Sequence, residues 1–323
     1  MQPEFMAQHF SLPAVRTVTP VGRGLLHATY RVATIGGDFV VQRLHAAIPD
    51  SAIDDMRMVT AYLVSCGLQV PSLVPTRDGR AFARDASGGR WRVYPWLPGH
   101  VVESLPDSAM AGAAGRLVGL LHKHLAACDY IPQGSIPHFH DTAFVLTALQ
   151  NVYLQLPDEV RGIADDILAT LPSLIVADEP QQLIHGDLKI SNLIFDDLGH
   201  AVGIIDFDTI LRHARAIDLG DAFRSWCNRT AEDDPEARFN VAFFEAAAAG
   251  YTQGFGLPSG PQERARYVRA TKQITLELAA RFLIDVVHDA YFGFDAARYP
   301  HRRAHNVARA RGQYYLAQTI PCP

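Results

Sequence analysis

Two short segments in the second half of the chain carry residue types that are able to perform phosphoryl transfer. The first, H-G-D-L-K-I-S-N at 185–192, fits the pattern H-x-D-x-x-x-x-N, and I-D-F-D follows at 205–208. Phosphoryl transfer needs a carboxylate that takes the proton of the acceptor hydroxyl, and oxygen ligands that hold Mg²⁺ on the nucleotide phosphates. We therefore predict that Asp187 is the catalytic base and that Asn192 and Asp206 are magnesium ligands.

The residues around these motifs have alternative roles. His185 is expected to hold the loop by hydrogen bonds. Lys189 either contacts phosphate or is solvated, and Asp208 either assists the metal or caps the next segment. The alternative for the whole group is a turn with capping or solvated aspartates. Several residue types coincide at fixed spacing, which favours the catalytic interpretation.

The first hundred residues supply weaker candidates for a nucleotide site. The turn G-R-G at 22–24 would let backbone approach phosphate. The strand F-V-V-Q-R at 39–43 lacks the lysine that normally pairs with the phosphates, so we predict that Arg43 takes this role; the alternative is a surface arginine. Asp54 and Asp55 are either its acidic partners on the next helix or simple first-turn charges.

The elements that must position these residues follow from the spacing of apolar residues. In the first part of the chain, strand-like segments flank one helix, predicted over 51–64 with Ser51 as its cap. The Pro98-Gly99 turn ends this pattern. We therefore predict an α+β protein with two lobes, in which residues 1–99 form a β-rich, nucleotide-binding first lobe and residues 100–323 a helical second lobe.

The second lobe is predicted to be mainly α-helical with one β island. Helices are expected over 108–125, 141–156, 159–171 and 239–251. Short strands are expected at 182–184, 193–195 and 201–205. The ends of these strands carry the residues of the two motifs.

Composition excludes several classes of protein. The chain has 323 residues, of which 48% are hydrophobic and 20% charged, enough to fill a sizeable core. A net charge of -5 gives no global field for a polyanion, so nucleic acid is not an expected partner. The four cysteines form no C-x-x-C pair, which argues against a zinc site or a disulfide framework. Without an apolar run of membrane-spanning length, no membrane partner is expected and a cytoplasmic protein is predicted.

These motifs resemble the aminoglycoside phosphotransferase and choline kinase superfamily, which carries an HGD-x-x-x-x-N loop and a following I-D-F-D-like motif. The finer pattern is most similar to the N-acetylhexosamine 1-kinase branch, and the likeness spans most of the chain. The segments that carry it are H-A-T-Y-R-V at 27–32, V-V-Q-R-L at 40–44, W-R-V-Y-P-W-L-P-G at 91–99, I-P-H-F-H-D-T at 136–142, D-L-G-D-A-F-R-S at 218–225, E-L-A-A-R-F-L-I-D at 277–285 and H-N-V-A-R-A-R-G-Q at 305–313.

The resemblance implies a protein-kinase-like bilobal fold with ATP between the lobes and Mg²⁺ on its phosphates. It places the adenine against the connection at 94–97, which makes Tyr94 and Trp96 nucleotide-binding candidates. The implied substrate is a small molecule, an N-acetylhexosamine or related sugar, whose anomeric hydroxyl faces Asp187.

Further residues are candidates for recognition of that substrate. Leu25 and His27 replace more polar residues of the branch pattern, so they bear on which sugar binds. Arg224 and His140 are predicted to line the substrate pocket, because a neutral sugar is recognised through directional polar groups.

Other functions remain open at this point. The acceptor is alternatively an aminoglycoside, choline, homoserine or another amino alcohol. Such cations would need carboxylates clustered near Asp187. A catalytically silent binding module of the same fold is the third hypothesis, motivated by Arg43 in place of lysine. Glu277 and Arg281, spaced i, i+4, either stabilise a helix or reach the substrate cleft.

Overall fold

A computed structural model describes the chain in six stretches. These are residues 3–21, 27–46, 48–134, 136–176, 180–256 and 260–322. The glycine turn predicted at 22–24 and the neighbouring Leu25 lie outside the described residues.

The first lobe is built on an antiparallel sheet. Its strands are β1 (Val15–Pro20), β2 (Ala28–Thr34), β3 (Gly37–Arg43), β4 (Ala83–Arg84) and β5 (Arg90–Pro95). They are arranged in the order β1-β2-β3-β5-β4. The tight connection between β2 and β3 requires a left-handed residue, which Gly37 supplies with a φ of 124°.

Two helices accompany this sheet, α1 (Pro3–His9) and α2 (Asp50–Ser65). The helix predicted over 51–64 is confirmed. The prediction of Ser51 as its cap is wrong, because α2 already begins at Asp50 and the preceding Pro49 makes no side-chain capping bond.

The two faces of the sheet pack against different parts of the molecule. On the outer face, Val41 and Val93 join a cluster that includes Phe10. On the other face, Val40 and Tyr94 belong to the large core shared with second-lobe residues. Because side chains alternate along a strand, odd-numbered residues of β3 face outward and even-numbered ones face the second lobe.

The described part of the second lobe is mainly helical, as predicted. Its helices are α3 (Ser108–Ala126), α4 (Thr142–Val152), α5 (Asp158–Thr170), α6 (Arg215–Trp226), α7 (Val241–Phe255), α8 (Pro261–His288) and α9 (Arg302–Thr319). Asp107 and Asp141 cap α3 and α4 by accepting hydrogen bonds from main-chain N–H groups of the first turn. None of the helices within the described stretches is long and apolar enough to cross a membrane.

Helices α3 and α7 approach each other closely at glycines. A Cβ atom on Gly115 would lie 2.0 Å from the carbonyl oxygen of Ala247, and one on Gly250 would lie 2.1 Å from that of Gly112. These contacts require glycine and fix α3 against α7, which places the polar residues of both helices below the catalytic loop.

The β island consists of two strand pairs. They are formed by β6 (Gln181–Ile184) with β9 (Leu211–Ala214) and by β7 (Leu193–Phe195) with β8 (Ala201–Ile204). The three predicted strands are confirmed, and β9 was missed. The main chain of His100 exchanges two hydrogen bonds with Phe195, so the chain that follows the proposed lobe division near Gly99 lies against the island.

Candidate functional site

The catalytic loop is held from below by helix α6. The main-chain N–H groups of His185 and Gly186 both donate to the carboxylate of Asp218, each at 2.7 Å. Gly186 has a φ of 87°, and a Cβ atom there would lie 2.4 Å from the carbonyl oxygen of Thr209. Only glycine fits this position, so the loop leaves β6 in one direction.

A buried polar chain fixes Asp218 in turn. The Nε2 atom of His122 donates to Asp218 at 2.9 Å, and its Nδ1 atom lies 3.1 Å from the hydroxyl of Tyr251. His122 and Asp218 are both 0% exposed. Buried polar groups are costly without partners, so this complete chain holds the loop rigidly. Sequence analysis missed it; the available signal was a histidine on the apolar face of α3.

Two side chains of the same loop donate hydrogen bonds to Asp187. The ammonium group of Lys189 donates to Oδ2 at 2.6 Å, and the amide of Asn192 donates to the main-chain oxygen of Asp187 at 2.8 Å. Burial alone would raise the pKa of Asp187, but the charge of Lys189 outweighs it and holds the pKa below its ordinary value. Asp187 is therefore ionised at neutral pH, the form that a general base needs.

The turn after β8 brings Asp206 back to this loop. The main-chain N–H of Ile205 donates to the carbonyl oxygen of Asn192 at 2.9 Å, and the ring of His185 bonds to the carbonyl oxygen of Ile205 at 3.0 Å. Asp206 has a left-handed backbone with a φ of 69°. Such a conformation in a residue other than glycine is concentrated at functional sites, where the surroundings impose it.

The environment of Asp206 fits a divalent cation. Burial raises its pKa; the charge of Lys189 lowers it and that of Asp208 raises it, with a net rise above the ordinary value. Among the described residues, its carboxylate has no hydrogen-bond or ion-pair partner. Asn192 already uses its amide nitrogen, which leaves the amide oxygen for a ligand. A partly buried, unpaired carboxylate beside an amide oxygen is the donor set that Mg²⁺ accepts.

Asp208 is occupied by side chains of the first lobe. The guanidinium of Arg92 on β5 binds both of its oxygens, with Nη2 2.7 Å from Oδ2 and Nη1 bonded to Oδ1. The Nε2 atom of His27 donates to the same Oδ2 at 2.8 Å. Burial would raise the pKa of Asp208, but Arg92 outweighs it and holds the pKa well below its ordinary value. Asp208 is thus an ion-pair partner and not a simple cap.

His27 lies on the metal side of the site. Its Nδ1 atom accepts the main-chain N–H of His45 at 3.1 Å, so its second nitrogen carries the proton that Asp208 accepts. The ligand atoms of His27, Asp206 and Asp208 all lie within 4.8 Å of one another. The contacts of His27 are therefore with the 206–208 turn, and the prediction that it binds substrate gains no support from them.

The structure places Arg43 on the outer face of the first-lobe sheet, so its predicted contact with phosphate gains no support there. Arg43 lies opposite Trp91 in the β3–β5 register and shares its outer face, whereas Gln42 lies opposite Arg92 and shares the face towards the second lobe. The guanidinium of Arg43 lies 3.6 Å from the carboxylate of Asp85. A difference of one residue along a strand changes the face, so Arg43 is a surface residue remote from the cluster around Asp208.

The acidic partners predicted on α2 also face elsewhere. Asp54 lies 3.5 Å from Arg57 on the helix surface. Asp55 is buried and accepts the main-chain N–H groups of Gln133 and Gly134. It therefore fastens the 133–134 segment to α2 and has no contact with Arg43.

The two nucleotide-binding candidates at the lobe connection differ in exposure. Tyr94 is buried on the face towards the second lobe, where burial raises the pKa of its hydroxyl above the ordinary value. Trp96 is half-buried, and the guanidinium of Arg31 lies 4.5 Å from the centre of its ring. An open cavity of about 570 Å³ lies against Trp96, Arg31 and Thr19.

His140 supports the catalytic loop from the other side. Its Nε2 atom donates to the carbonyl oxygen of Gly186 at 2.7 Å, and its Nδ1 atom lies 3.4 Å from the carboxylate of Glu277. Burial lowers the pKa of His140, but the contact with Glu277 outweighs it and leaves the pKa raised. His140 also has a φ of 57°, a second left-handed residue beside the loop. The helix residue Glu277 thus reaches the catalytic loop through His140.

Arg224 is buried close to Asp187, but its guanidinium is engaged. Nε and Nη2 donate to Oδ1 of Asp221 at 3.1 and 2.8 Å, and Nη1 lies 3.3 Å from Glu232 and 3.4 Å from Gln313. The second oxygen of Asp221 is buried without a partner among the described residues. Arg224 therefore orients Asp221, a residue that sequence analysis missed.

Arg281 lies among aromatic rings beside Glu277. Its guanidinium is 5.5 Å from the ring centre of Phe139, 5.4 Å from that of Tyr291 and 5.6 Å from that of Phe292. The Phe139 ring is in edge contact with His140, at 4.5 Å between centres. Phe139, His140 and Gly186 thus connect this aromatic group to the loop that carries Asp187.

Comparisons with known proteins agree with this geometry. The model of the phosphotransferase enzyme family matches residues 17–265. Among curated proteins, the homoserine kinase of Zymomonas mobilis is 23% identical over 257 residues, which cover 78% of this chain and 76% of that protein. The homoserine kinase of Gluconacetobacter diazotrophicus is 26% identical over 274 residues, 83% of this chain and 80% of that protein.

Solved structures share the fold over nearly the whole chain. Amicoumacin kinase in complex with AMP-PNP, Ca²⁺ and Ami superposes with a TM-score of 0.64 at 18% identity, covering 100% of this chain and 98% of that one. Spectinomycin phosphotransferase in complex with ADP and spectinomycin gives a TM-score of 0.67 at 11% identity, covering 99% and 100%. The predicted kinase-like bilobal fold is confirmed, and so is the wider superfamily; the N-acetylhexosamine 1-kinase branch stays a prediction.

Proposed function

This chain belongs to the phosphotransferase enzyme family and is a small-molecule kinase, and from that premise we propose that it transfers the γ-phosphoryl group of ATP to the anomeric hydroxyl of an N-acetylhexosamine or a related sugar. The observation that carries the proposal is the convergence of Asp187, Asn192 and Asp206. One hydrogen bond within the loop and two between the loop and the turn hold these residues together. The choice of a sugar as acceptor rests on the resemblance to the N-acetylhexosamine 1-kinase branch, which spans most of the chain.

The residues of the loop support a direct transfer. The ionised carboxylate of Asp187 takes the proton of the acceptor hydroxyl as its oxygen forms a bond to the γ-phosphorus. The bond from that phosphorus to the β,γ-bridging oxygen breaks, and ADP leaves with its electron pair. Three buried side chains keep Asp187 in place. Asp218 and His140 bind the main chain of the two residues before Asp187, and His122 holds Asp218.

Asn192 and Asp206 would hold Mg²⁺, which supplies positive charge at the phosphate oxygens when bound. Lys189 donates a hydrogen bond to the carboxylate of Asp187. Burial lowers the pKa of Lys189, but the charges of Asp187 and Asp206 outweigh burial and raise the pKa, so the ammonium group remains protonated. In that form it reduces the repulsion between these carboxylates and the incoming phosphates.

The aromatic group beside His140 supports a ring-shaped acceptor. Tyr291 is 53% exposed, and Phe139 and Phe292 are half-buried around the Arg281 guanidinium. Apolar ring faces pack against the C–H face of a sugar, and a guanidinium donates to its hydroxyl oxygens. The Glu277 and Arg281 pair therefore belongs to the proposed acceptor side.

Homoserine is the second candidate acceptor. Two observations favour it: the curated relatives named above are homoserine kinases, and one carboxylate oxygen of Asp221 is buried without a partner among the described residues. Burial raises the pKa of Asp221 and outweighs the charge of Arg224, and the charge of Asp187 adds to the rise. Carboxylates clustered in this way would suit an ammonium group. Homoserine has no ring, so its phosphorylation would not depend on Tyr291.

A single screen separates these candidates. ATP consumption is measured with N-acetylhexosamines, hexoses, homoserine, choline and aminoglycosides, and the Asp187→Asn variant serves as the control for each acceptor. We expect consumption with an N-acetylated or simple hexose that Asp187→Asn abolishes. Consumption with homoserine alone would replace the sugar by the second candidate, and no consumption above the Asp187→Asn background with any acceptor would contradict the proposed function.

A further inference from the structure

A buried ion pair joins the two lobes at the 206–208 turn. Arg92 is 1% exposed and Asp208 5% exposed. Besides the two bonds to Asp208, the guanidinium donates from Nε to Gln42 at 2.9 Å and lies 3.0 Å from the sulfur of Met56. A buried charge pair needs its hydrogen bonds satisfied, and here strand β3 and helix α2 contribute further partners to the arginine of β5.

We propose that Arg92 is a positioning residue of the kinase reaction: by binding Asp208 it fixes the 205–208 turn and leaves Asp206 as the carboxylate that holds the metal. This inference rests on the proposed function. Asp206 and Asp208 are separated by one residue, and Phe207–Thr209 form a single 3-10 turn, so the two carboxylates move together. A group that holds Asp208 therefore also orients Asp206.

Arg92 also supplies a positive charge that strand β3 lacks on the face towards the second lobe. The position of β3 that faces the second lobe, opposite Arg92, is occupied by Gln42, whose side-chain oxygen accepts from Arg92. The cation that faces Asp208 is thus Arg92 on β5, a residue that sequence analysis did not single out. Its planar fork matches both oxygens of Asp208, which a lysine cannot do.

Without Arg92 the same atoms would form a different metal site. One imidazole and two carboxylates, from His27, Asp206 and Asp208, lie within 4.8 Å of one another. That donor set suits Zn²⁺ and other transition metals better than Mg²⁺, which prefers oxygen ligands. To bind the metal through Nε2, His27 gives up the proton on that nitrogen and takes one on Nδ1, in place of the bond from the His45 N–H. Arg92 and the Nε2–H of His27 occupy Asp208 and so exclude it from coordination.

The test compares Arg92→Met with Arg90→Met. Arg90 is a buried arginine of the same strand, but it pairs with Asp50 and main-chain oxygens of the first lobe. Zn²⁺ alone is titrated into each purified protein by calorimetry, and magnesium dependence is measured with the best acceptor. We expect Arg92→Met to bind Zn²⁺ at least about tenfold more tightly than the wild type and Arg90→Met, and to lose about 10- to 100-fold in turnover with Mg²⁺.

The inference would be overturned if Arg92→Met bound zinc and depended on magnesium in the same way as Arg90→Met. The double variant Arg92→Met/Asp208→Asn removes both charges and covers the case in which the single variant does not fold. We expect it to fold, to lack the added zinc affinity and to keep the loss of turnover; full recovery of turnover would reduce Arg92 to a structural role. If no acceptor in the screen is phosphorylated, the proposed function fails, while the zinc titration still decides the role of Arg92.

Discussion

The catalytic loop of the second lobe and the sheet of the first lobe build the site in different ways. The loop holds Asp187 and Asn192 through bonds to main-chain groups, and the partners of those bonds are buried residues of the same lobe. The sheet contributes side chains that cross between the lobes, above all Arg92 on Asp208. In the proposed function the second lobe therefore carries the chemistry, and the inward face of the first-lobe sheet sets the geometry of the 205–208 turn.

This comparison predicts a graded series of effects. A change in the loop should remove turnover, a change at the metal ligands should alter the magnesium requirement, a change behind the loop should act on stability, and a change on the outer face of the sheet should have little effect.

The largest effect is expected from Asp187→Asn. We expect turnover to fall by about 10²- to 10⁴-fold, because the variant cannot accept the acceptor's proton, with ATP affinity within a few fold of the wild type. Turnover is measured in a coupled ADP assay and ATP affinity by calorimetry. Lys189→Met is the matched control, since it removes the other charge of the same pair. If Asp187→Asn keeps substantial turnover with the best acceptor, Asp187 is not the base.

The next effect concerns the metal ligands. Asp206→Ala and Asn192→Ala each remove one oxygen ligand, so we expect both to raise the magnesium concentration required for half-maximal rate, by about 10-fold or more. Asp196→Ala, in the exposed turn of the island, is the control. Magnesium titrations that coincide with those of the wild type in both variants would remove these residues from the metal site.

The third effect is on stability and depends on pH. The folded-state pKa of His140 is raised, so the stabilisation from its charged form is complete below the ordinary histidine value and is lost as pH rises through the folded pKa. We expect His140→Gln to lower the free energy of unfolding by about 3 kcal/mol at pH 6, since it removes the cation in direct contact with the buried carboxylate of Glu277, and by clearly less at pH 9. Urea unfolding at both values measures this; a difference independent of pH would mean that the pair is not ionic.

The smallest effect is expected from Arg43→Ala. Its only charged partner among the described residues is Asp85, in an exposed pair, so the stability change should stay within about 1 kcal/mol. The Michaelis constant for ATP should remain at the wild-type value. A rise in that constant would return Arg43 to the phosphate site and break the comparison between the two faces of the sheet.

The sequence predicts the arrangement of the candidate residues best where they are close together in the chain. The segment 185–192 and the turn at 205–208 are local, so residue type and spacing determine their geometry. The sequence predicts less where position depends on distant contacts. Arg43 and Gln42 are adjacent, and only the pairing of β3 with β5 shows which of them faces the second lobe. Asp218 and His122 lie 96 residues apart, and their contact follows from the packing of α3 on α7 and of both α3 and α6 on β6.

The predicted substrate residues show the same limit. Arg224, His27 and His140 are polar residues in segments that resemble the family, which suggests a pocket. Their partners are protein groups, namely Asp221, Asp208 and Gly186. Such partners become visible only in the folded chain. These contacts show how the three side chains support the loop and the 205–208 turn, and their binding of substrate stays a prediction.

The central claim is that Asp187 activates the anomeric hydroxyl of a sugar for transfer of phosphate from ATP. Phosphorus NMR of the product formed from ATP, Mg²⁺ and an N-acetylhexosamine tests this most directly, because the position of the ester is read from its coupling to the ring protons. We expect one new phosphate ester, at the anomeric oxygen, that is absent with Asp187→Asn. An ester at another hydroxyl, or inorganic phosphate alone, would contradict the claim.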